Sequence, residues 1–296
     1  VVSYFYDTGE DEEGEATRIA VAGKPNVGKS SLVNALLGHE RTIVSNIPGT
    51  TRDAIDSPFE YDGEQFVLVD TAGIRRKRAI EDESIERYSV IRSLAAIRRA
   101  DVVLIVIDAS EGLSEQDVKI AGYVHEEGKA CVLLINKWDL IKKDTHTVEV
   151  FKKNILIDLA FMSYIPMLFI SAKTGQRVNR IMDMVKTVFE QNSRRISTGI
   201  LNDIVSEAVL ANDPPSDKGR RLKIYYVTQV STRPPTFVLF VNDSTLMHFS
   251  YKRYLENYLR KSFGLDATPV RLIIRTREKQ EAPPNGPRKN KEETDE

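Results

Sequence analysis

Residues 23–30 read GKPNVGKS, which matches the spacing G-x-x-x-x-G-K-[ST]. Where a glycine-rich turn opens a helix, its backbone N–H groups converge on an anion, and the helix dipole favours negative charge there. In that frame the turn from Gly23 through Lys24, Pro25, Asn26, Val27 and Gly28 wraps a polyphosphate. Lys29 bridges the β and γ phosphates, and Ser30, followed by Ser31, sets a hydroxyl on Mg²⁺. A ligand-free glycine turn is the bland alternative, and three further stretches weigh against it. DTAG at 70–73 offers Asp70 to the metal through water, then Thr71, Ala72 and the Gly73 amide toward a γ-phosphate. NKWD at 136–139 supplies Asp139, whose carboxylate can accept from both N1–H and the exocyclic amine of guanine. Adenine has no such donor pair, and a site built on paired hydrogen bonds rejects the wrong base by orders of magnitude. Asn136 is expected to tie this loop to the phosphate loop, and the Lys137 stem to cover the base. SAK at 171–173 carries the Ala172 amide, between Ser171 and Lys173, toward guanine O6.

Each motif follows an apolar run. RIAVAG, EQFVLVD, DVVLIVID, ACVLLIN and PMLFISA are rich in Val, Ile and Leu with little alternation, as in strands covered on both faces. The amphipathic stretches SSLVNALLG, SIERYSVIRSLAAIRRA, SEQDVKIAGYVHEEG and VNRIMDMVKTVFEQN lie between or after them. Residues 18–194 are therefore expected to form an α/β domain on a mostly parallel sheet, with helices on both faces. In such sheets ligands bind at the carboxyl ends of the strands, where the four motifs fall. From 195 the pattern changes to helix (TGILNDIVSEAVLAN), two strands (RLKIYYVTQV, TFVLFVN), helix (YKRYLENYLRKSFG, ending at Gly264) and strand (TPVRLIIRTR). This predicts a small α+β domain, αββαβ, over 195–277. Residues 278–296 have almost no apolar side chains and are expected to be disordered. Residues 1–17 carry six acids and no base, and read as an acidic linker.

The net charge of −1 over 296 residues averages out a basic block, since residues 195–277 hold 13 Lys/Arg against 7 Asp/Glu. A basic module invites an anionic partner, most commonly nucleic acid. Lys218, Arg220, Arg221 and Lys223 cluster ahead of one strand, and Lys252, Arg253, Arg260 and Lys261 share one helix. The run Arg75, Arg76, Lys77 and Arg78, just after DTAG, could grip RNA or a neighbouring domain, or simply face water. No apolar run is long enough to cross a membrane as a helix, and the acidic start is unlike a secretory signal. Cys131 has no cysteine partner, sits in an apolar strand run and fits a reducing cytoplasm. His39, His125, His146 and His248 show no ligand spacing.

GKPNVGKS, GTTRD (49–53), DTAG, NKWD and SAK together resemble the Era-like bacterial GTPases. INKWDLIKKD, RLKIYYVTQVSTRPPTFVLFVN and MHFSYKRYLENYLRKSFG are similar to the second GTPase domain and the KH-like domain of the double-Era-like (Der/EngA) family. The resemblance covers residues 18 to about 277. It implies a P-loop GTPase with GTP or GDP and Mg²⁺ as ligands, acting as a switch in assembly of the large ribosomal subunit. Its implied partners are that subunit's rRNA and a first GTPase domain, which the chain as given lacks. The chain then reads as a piece of a longer protein, a monomer with no membrane partner. The alternative is an RNA- or ribosome-binding adaptor whose nucleotide is mainly structural. KH domains clamp RNA with a G-x-x-G loop. The corresponding NDSTLMHFS lacks one, so docking against a GTPase domain is the milder reading of this block.

One position departs from the commonest GTPase pattern. Ile74 stands where many GTPases carry a glutamine that orients the attacking water, and a hydrocarbon cannot polarise water. The resemblance suggests a K⁺ ion instead, held by the Asn26 amide oxygen with backbone carbonyls around Ser45–Ile47. A turn-capping role for Asn26 is the plainer reading. The expected catalytic set is Lys29, Asn26, Gly73 and Thr51, with Thr51 the second Mg²⁺ ligand and Thr50 its alternative.

Overall fold

Along strand β5 (Val102–Asp108) every side chain is buried, although successive residues point to opposite faces. Leu104 and Val106 join one core, while Val103, Ile105 and Ile107 join another. That double burial is why the run shows no polar alternation. The structure, a computed structural model, describes residues 16–39, 42–44, 56–71, 92–217 and 219–277. Thr50, Thr51, Ala72, Gly73, Ile74, Arg75, Arg76, Lys77, Arg78 and Lys218 lie outside the described residues. So do nearly all of the acidic linker and the whole 278–296 tail.

A seven-stranded sheet has the order β2-β3-β4-β1-β5-β6-β7. Its strands are β1 (Thr17–Ala22), β2 (Thr42–Val44), β3 (Ser57–Tyr61), β4 (Glu64–Leu68), β5, β6 (Ala130–Asn136) and β7 (Met167–Phe169). From β4 to β7 all neighbours are parallel, whereas β2 and β3 run antiparallel at one edge. On one face pack α1 (Lys29–Leu37), through Leu32 and Leu36, and α5 (Arg180–Ser193), through Ile181, Val185 and Val188. The other face is covered by α2 (helical over 92–99), α3 (Glu115–Glu126) and α4 (Thr147–Asp158), through Ile97, Val124 and Ile155. Parallel strands at the centre need helical crossovers, and these helices supply them. This is the P-loop α/β arrangement that the motifs require.

Cys131 lies in β6 with no exposed surface, and burial pushes its thiol up to about 12. The thiolate is the reactive form. Cys131 should therefore stay unmodified by Ellman's reagent in the folded chain and react stoichiometrically in guanidinium. Prompt reaction under native conditions would remove it from the core.

A second, three-stranded sheet has the order β10-β11-β12, formed by Ile224–Ser231, Thr236–Val241 and Arg271–Thr276. The first two strands are antiparallel and the last two parallel. α7 (Phe249–Ser262) makes the crossover that the parallel pair needs, and α6 (Thr198–Ala211) leads into the unit. Leu201, Val205, Leu255 and Leu259 pack with Val227, Phe237, Leu239 and Leu272 in a core of their own. The αββαβ order is as expected, with a small added hairpin, β8 (Ser216–Asp217) and β9 (Arg220–Arg221). α7 stops at Ser262, and Gly264, at φ +58, lets the chain reverse.

The connector between the two units is pinned. Gln229 accepts from the Ile196 amide at 2.7 Å and donates to the Arg194 carbonyl at 2.9 Å. At the end of α5, Gln191 accepts from the Ala267 amide at 2.8 Å, and the Thr268 hydroxyl and the Asn192 amide group are 2.6 Å apart. On the other side Arg271 donates to the Glu126 carbonyl at the end of α3. Gly128, at φ +71, leaves room for that arginine, because a Cβ there would stand 2.8 Å from its guanidinium and 2.8 Å from Pro234. Among the described residues no helix is long and apolar enough to cross a membrane.

Candidate nucleotide site

The loops that follow β1, β4, β6 and β7 leave the same edge of the sheet, because those strands are parallel. After β1 the chain turns through Gly23 (φ +145), Asn26 (φ +63) and Gly28 (φ +99). A Cβ on Gly23 would lie 2.3 Å from the Val106 carbonyl oxygen, and one on Gly28 would lie 2.4 Å from Asn136 Nδ2. The loop is pressed so closely onto β5 and the NKWD loop that only glycine fits at these two points. Val27, nearly unexposed, anchors its middle in the core. Gly28 is the N-cap of α1 and brings no side-chain cap, so the first-turn amides open into the concavity of the loop. Lys29 curls back over that loop, its Nζ donating to the carbonyls of Gly23 at 2.7 Å and Lys24 at 2.5 Å. Ser30 is half-buried beside it, while Pro25, Asn26 and Ser31 are exposed.

Lys24 behaves differently from its neighbours. Its Nζ donates to Glu111 Oε2 at 2.6 Å and stands 4.0 Å from the buried Asp117 carboxylate. The hydrogen bond to Glu111 holds this ammonium above its ordinary range. The backbone of Lys24 belongs to the phosphate loop, but its side chain straps that loop to the entrance of α3.

β6 ends at Asn136, and this buried side chain fastens three loops. Its Nδ2 donates to the Val27 carbonyl at 2.8 Å, and its Oδ1 accepts from the Ala172 amide at 2.9 Å. The Ala172 amide, expected to face guanine O6, is thus already engaged, because a buried carboxamide oxygen needs a donor. Lys137 is left-handed (φ +59), and its Nζ lies 2.5 Å from Asp108 Oδ2. Burial works against the charge on Asp108, but Lys137 and the hydroxyl and amide of Ser110 outweigh it and hold the carboxyl below the usual range. Sequence reasoning missed Asp108, Glu111 and Asp117. A signal existed for Asp108, as an acid closing an apolar strand at the ligand edge of the sheet.

Asp139 is half-exposed but turns Oδ1 inward, out of contact with water and with no hydrogen-bond partner among the described residues. The Ser171 hydroxyl holds its carboxyl below the usual range, with help from Lys173 and Lys143. A buried acceptor left unmade costs about 1–3 kcal/mol, more when charged. A guanine edge, with two adjacent donors, fits that deficit. Ser171 itself is fully buried and bridges to Gln176, while Lys173 is exposed.

On the DTAG side Asp70 is left-handed (φ +56), and its amide donates to Asp56 Oδ1 at 3.0 Å. Arg99 pairs with the other oxygen of Asp56. The hydroxyls of Thr71 and Ser57 are 2.7 Å apart, which gives Thr71 a structural bond. Ser30 and Asp70 offer hard oxygens of the kind Mg²⁺ takes when phosphates complete its shell. Among the described residues no group of three or more His, Cys, Asp or Glu could hold a metal by itself. In the expected basic patch Arg220 pairs with Asp243 at 3.0 Å, Arg221 pairs with Asp213, and Lys223 is exposed. Exposed pairs of this kind contribute little to stability.

Residues 18–137 match the family described as 50S ribosome-binding GTPase, and residues 195–275 the family described as KH-domain-like of EngA bacterial GTPase enzymes, C-terminal. GTPase Der of Desulfitobacterium hafniense (strain DSM 10664 / DCB-2) is 60% identical over 281 residues, 95% of this chain and 64% of that protein. GTPase Der of Ruminiclostridium cellulolyticum is 60% identical over 274 residues, 93% of this chain and 62% of that protein. The chain therefore spans less than two thirds of the length of these relatives. Among solved structures, Era in complex with MgGDPNP and nucleotides 1506–1542 of 16S ribosomal RNA is 22% identical. That alignment covers 89% of this chain and 93% of that one, with a TM-score of 0.45.

Proposed function

This chain belongs to the EngA (Der) family of bacterial GTPases, and on that premise we propose that it is a GTP-hydrolysing switch acting in assembly of the large ribosomal subunit. The observation that carries the nucleotide reading is the inward, unpartnered Asp139 Oδ1 beside a phosphate loop that Asn136 ties down. Asp139 accepts from the guanine edge, and Asn136 keeps the base and phosphate loops in one register. The Lys29 ammonium exchanges its two backbone carbonyls for the β and γ phosphates. The loop amides of residues 24–30 cradle those phosphates at the N-terminus of α1. Ser30, Asp70 and, outside the described residues, Thr51 would hold Mg²⁺, which offsets charge on the phosphates. Gly73 would offer its amide to the γ-phosphate.

Asn26 is exposed on the outer rim of the loop, in a left-handed conformation that Asn tolerates better than most residues. Its amide oxygen can hold K⁺, which would supply the charge stabilisation that a water-orienting glutamine or an arginine gives other GTPases. Hydrolysis should then be higher in KCl than in NaCl at equal ionic strength, on the order of tenfold or more. One fixed transition-state donor commonly supplies about 10²–10³. Equal turnover in the two salts, for this chain and for one preceded by its first GTPase domain, removes K⁺ from the mechanism. GTP turnover near zero in both salts favours instead the adaptor whose nucleotide is structural. The basic KH-like unit is proposed to meet rRNA mainly through phosphates. Sedimentation with purified ribosomal subunits should place the chain with the large subunit, to an extent that differs between GTP, GDP and a non-hydrolysable analogue. Comigration with neither subunit in any nucleotide state overturns the ribosomal reading.

A further inference from the structure

Between the two units lies a cleft of about 500 Å³, within the ~300–1,000 Å³ typical of ligand sites. One wall is a single face of α7, where Phe249, Lys252, Arg253, Glu256 and Arg260 follow helical spacing. Opposite stand His125 from the end of α3 and the turn after α4, with Phe161 and Tyr164. Arg271 closes one end. The GTPase-side wall carries no acid, and Glu256 is the only carboxylate among the lining residues, against Lys252, Arg253, Arg260 and Arg271. Of the α7 cations, Arg260 lies over an aromatic ring, Arg253 reaches the Ala160 carbonyl at 3.5 Å, and Lys252 pairs with Glu256 of its own helix at 3.9 Å.

The rings and charges are arranged for use. Phe249 is 72% exposed and Phe161 41%, the latter with its ring edge-on to His125 at 5.6 Å between centroids. Arg260 lies 5.0 Å over the Tyr164 ring, and its buried Nε has no hydrogen-bond partner among the described residues. His125 is bonded to the Tyr164 hydroxyl at 2.9 Å. Burial, then the charges of Arg271 and Arg260, push His125 below its ordinary range, so it adds a neutral ring. Exposed rings beside guanidinium groups match a ligand that is flat at one end and anionic at the other.

We infer that this cleft takes an unstacked nucleotide of single-stranded RNA, its base against Phe161 and Phe249 and its phosphate on Lys252, Arg253 and Arg260. The inference rests on the RNA-binding reading above and gives that unit a reading site without a G-x-x-G loop. A neighbouring protein is the competing occupant, and the test separates the two.

The probe is an eight-nucleotide oligouridylate carrying 4-thiouridine, titrated and photo-crosslinked to the full chain. Crosslinks are expected on Phe161, Tyr164 or Phe249. F161A/F249A should weaken binding about fivefold or more while leaving the salt dependence unchanged. K252Q/R253Q should shallow the slope of log affinity against log salt by up to about 0.7, since the two cations share one phosphate and each single-strand phosphate contact contributes about 0.7. Circular dichroism melts show whether the variants remain folded; because the rings are exposed, little change is expected. Binding that persists with crosslinks only elsewhere overturns the cleft and leaves the RNA reading standing. No binding of the oligonucleotide at low salt overturns both. Free UMP displacing the probe at similar concentration would make the site one for free nucleotides and overturn the RNA assignment.

Discussion

Lys29→Ala should lower single-turnover GTP hydrolysis by two to three orders of magnitude and weaken GTP more than it disturbs the fold. The magnitude is that of one preorganised charge removed from a reacting phosphate, about 10²–10³ in rate. The geometry explains why no neighbour can substitute. Lys29 is the first residue of α1, and its Nζ reaches back over the loop to the carbonyls of Gly23 and Lys24. The other loop cation, Lys24, is committed to Glu111 and faces Asp117. Lys29→Arg should fail nearly as badly, because a planar guanidinium is larger and presents its donors in a fixed fork. Nucleotide affinity should drop less than turnover, since the loop amides still cradle phosphate. A variant that hydrolyses GTP within threefold of the parent would mean that the phosphate loop is not the reacting site.

The same geometry separates residues proposed to touch the nucleotide from residues that hold those in place. Asn136 spends both ends of its amide on Val27 and Ala172, so its contribution is rigidity. Lys137 and Asp108 brace the base loop against β5, and Lys24 braces the phosphate loop against the turn before α3. One edge of the sheet thus carries a second layer of charged side chains behind the first. Preorganised sites depend on such support, because a small displacement of a contacting group costs heavily.

Sequence made the centre of the sheet readable because burial on both faces leaves an unmistakable apolar run, as in DVVLIVID and ACVLLIN. The same physics hid the edge. β3, SPFEY, pairs antiparallel with β4, alternates buried and half-buried residues, and contains Pro58, which donates no ladder bond. β2 has only three residues. α4, TVEVFKKNILID, is rich in β-branched residues and fully buries only Ile155, so its pattern does not announce a helix. At the site, motif spacing found the loops but could not show what each side chain does within them. Nothing in GKPNVGKS says that Lys24 turns away while Lys29 turns in. That choice is made by Glu111, 87 positions along the chain. Nor does SAK say that the Ala172 amide, expected to reach guanine O6, is bonded within the protein, because its acceptor, the Asn136 side chain, is brought to it only by the parallel pairing of β6 and β7.

Asp139→Asn should reverse base selectivity. In the proposed site the carboxylate presents two acceptors to the guanine edge, one of them the buried Oδ1, which has no hydrogen-bond partner among the described residues. Asparagine keeps one acceptor and turns the other into a donor, which meets a guanine donor head-on. A site built for paired hydrogen bonds rejects a mismatched partner by up to about 10⁴–10⁵. A loss of GDP affinity of about 10²–10³ is expected here, because one of the two bonds survives. Xanthine carries an oxygen where guanine carries its amine, so the asparagine pair complements it, and XDP should now displace a labelled nucleotide better than GDP. The scaffold should survive, because the bonds of Asn136 to Val27 and Ala172 do not involve Asp139. In the parent, the Ser171 hydroxyl holds the Asp139 carboxyl below the usual range, so the acceptor pair stays charged as pH falls. Guanine preference should therefore persist at pH 5, above the ordinary Asp value near 3.9. Competition titrations of GDP, XDP and ADP at pH 5 and pH 7.5 test both points. Unchanged GDP affinity in the asparagine variant would take Asp139 out of base recognition and leave its buried oxygen without a role.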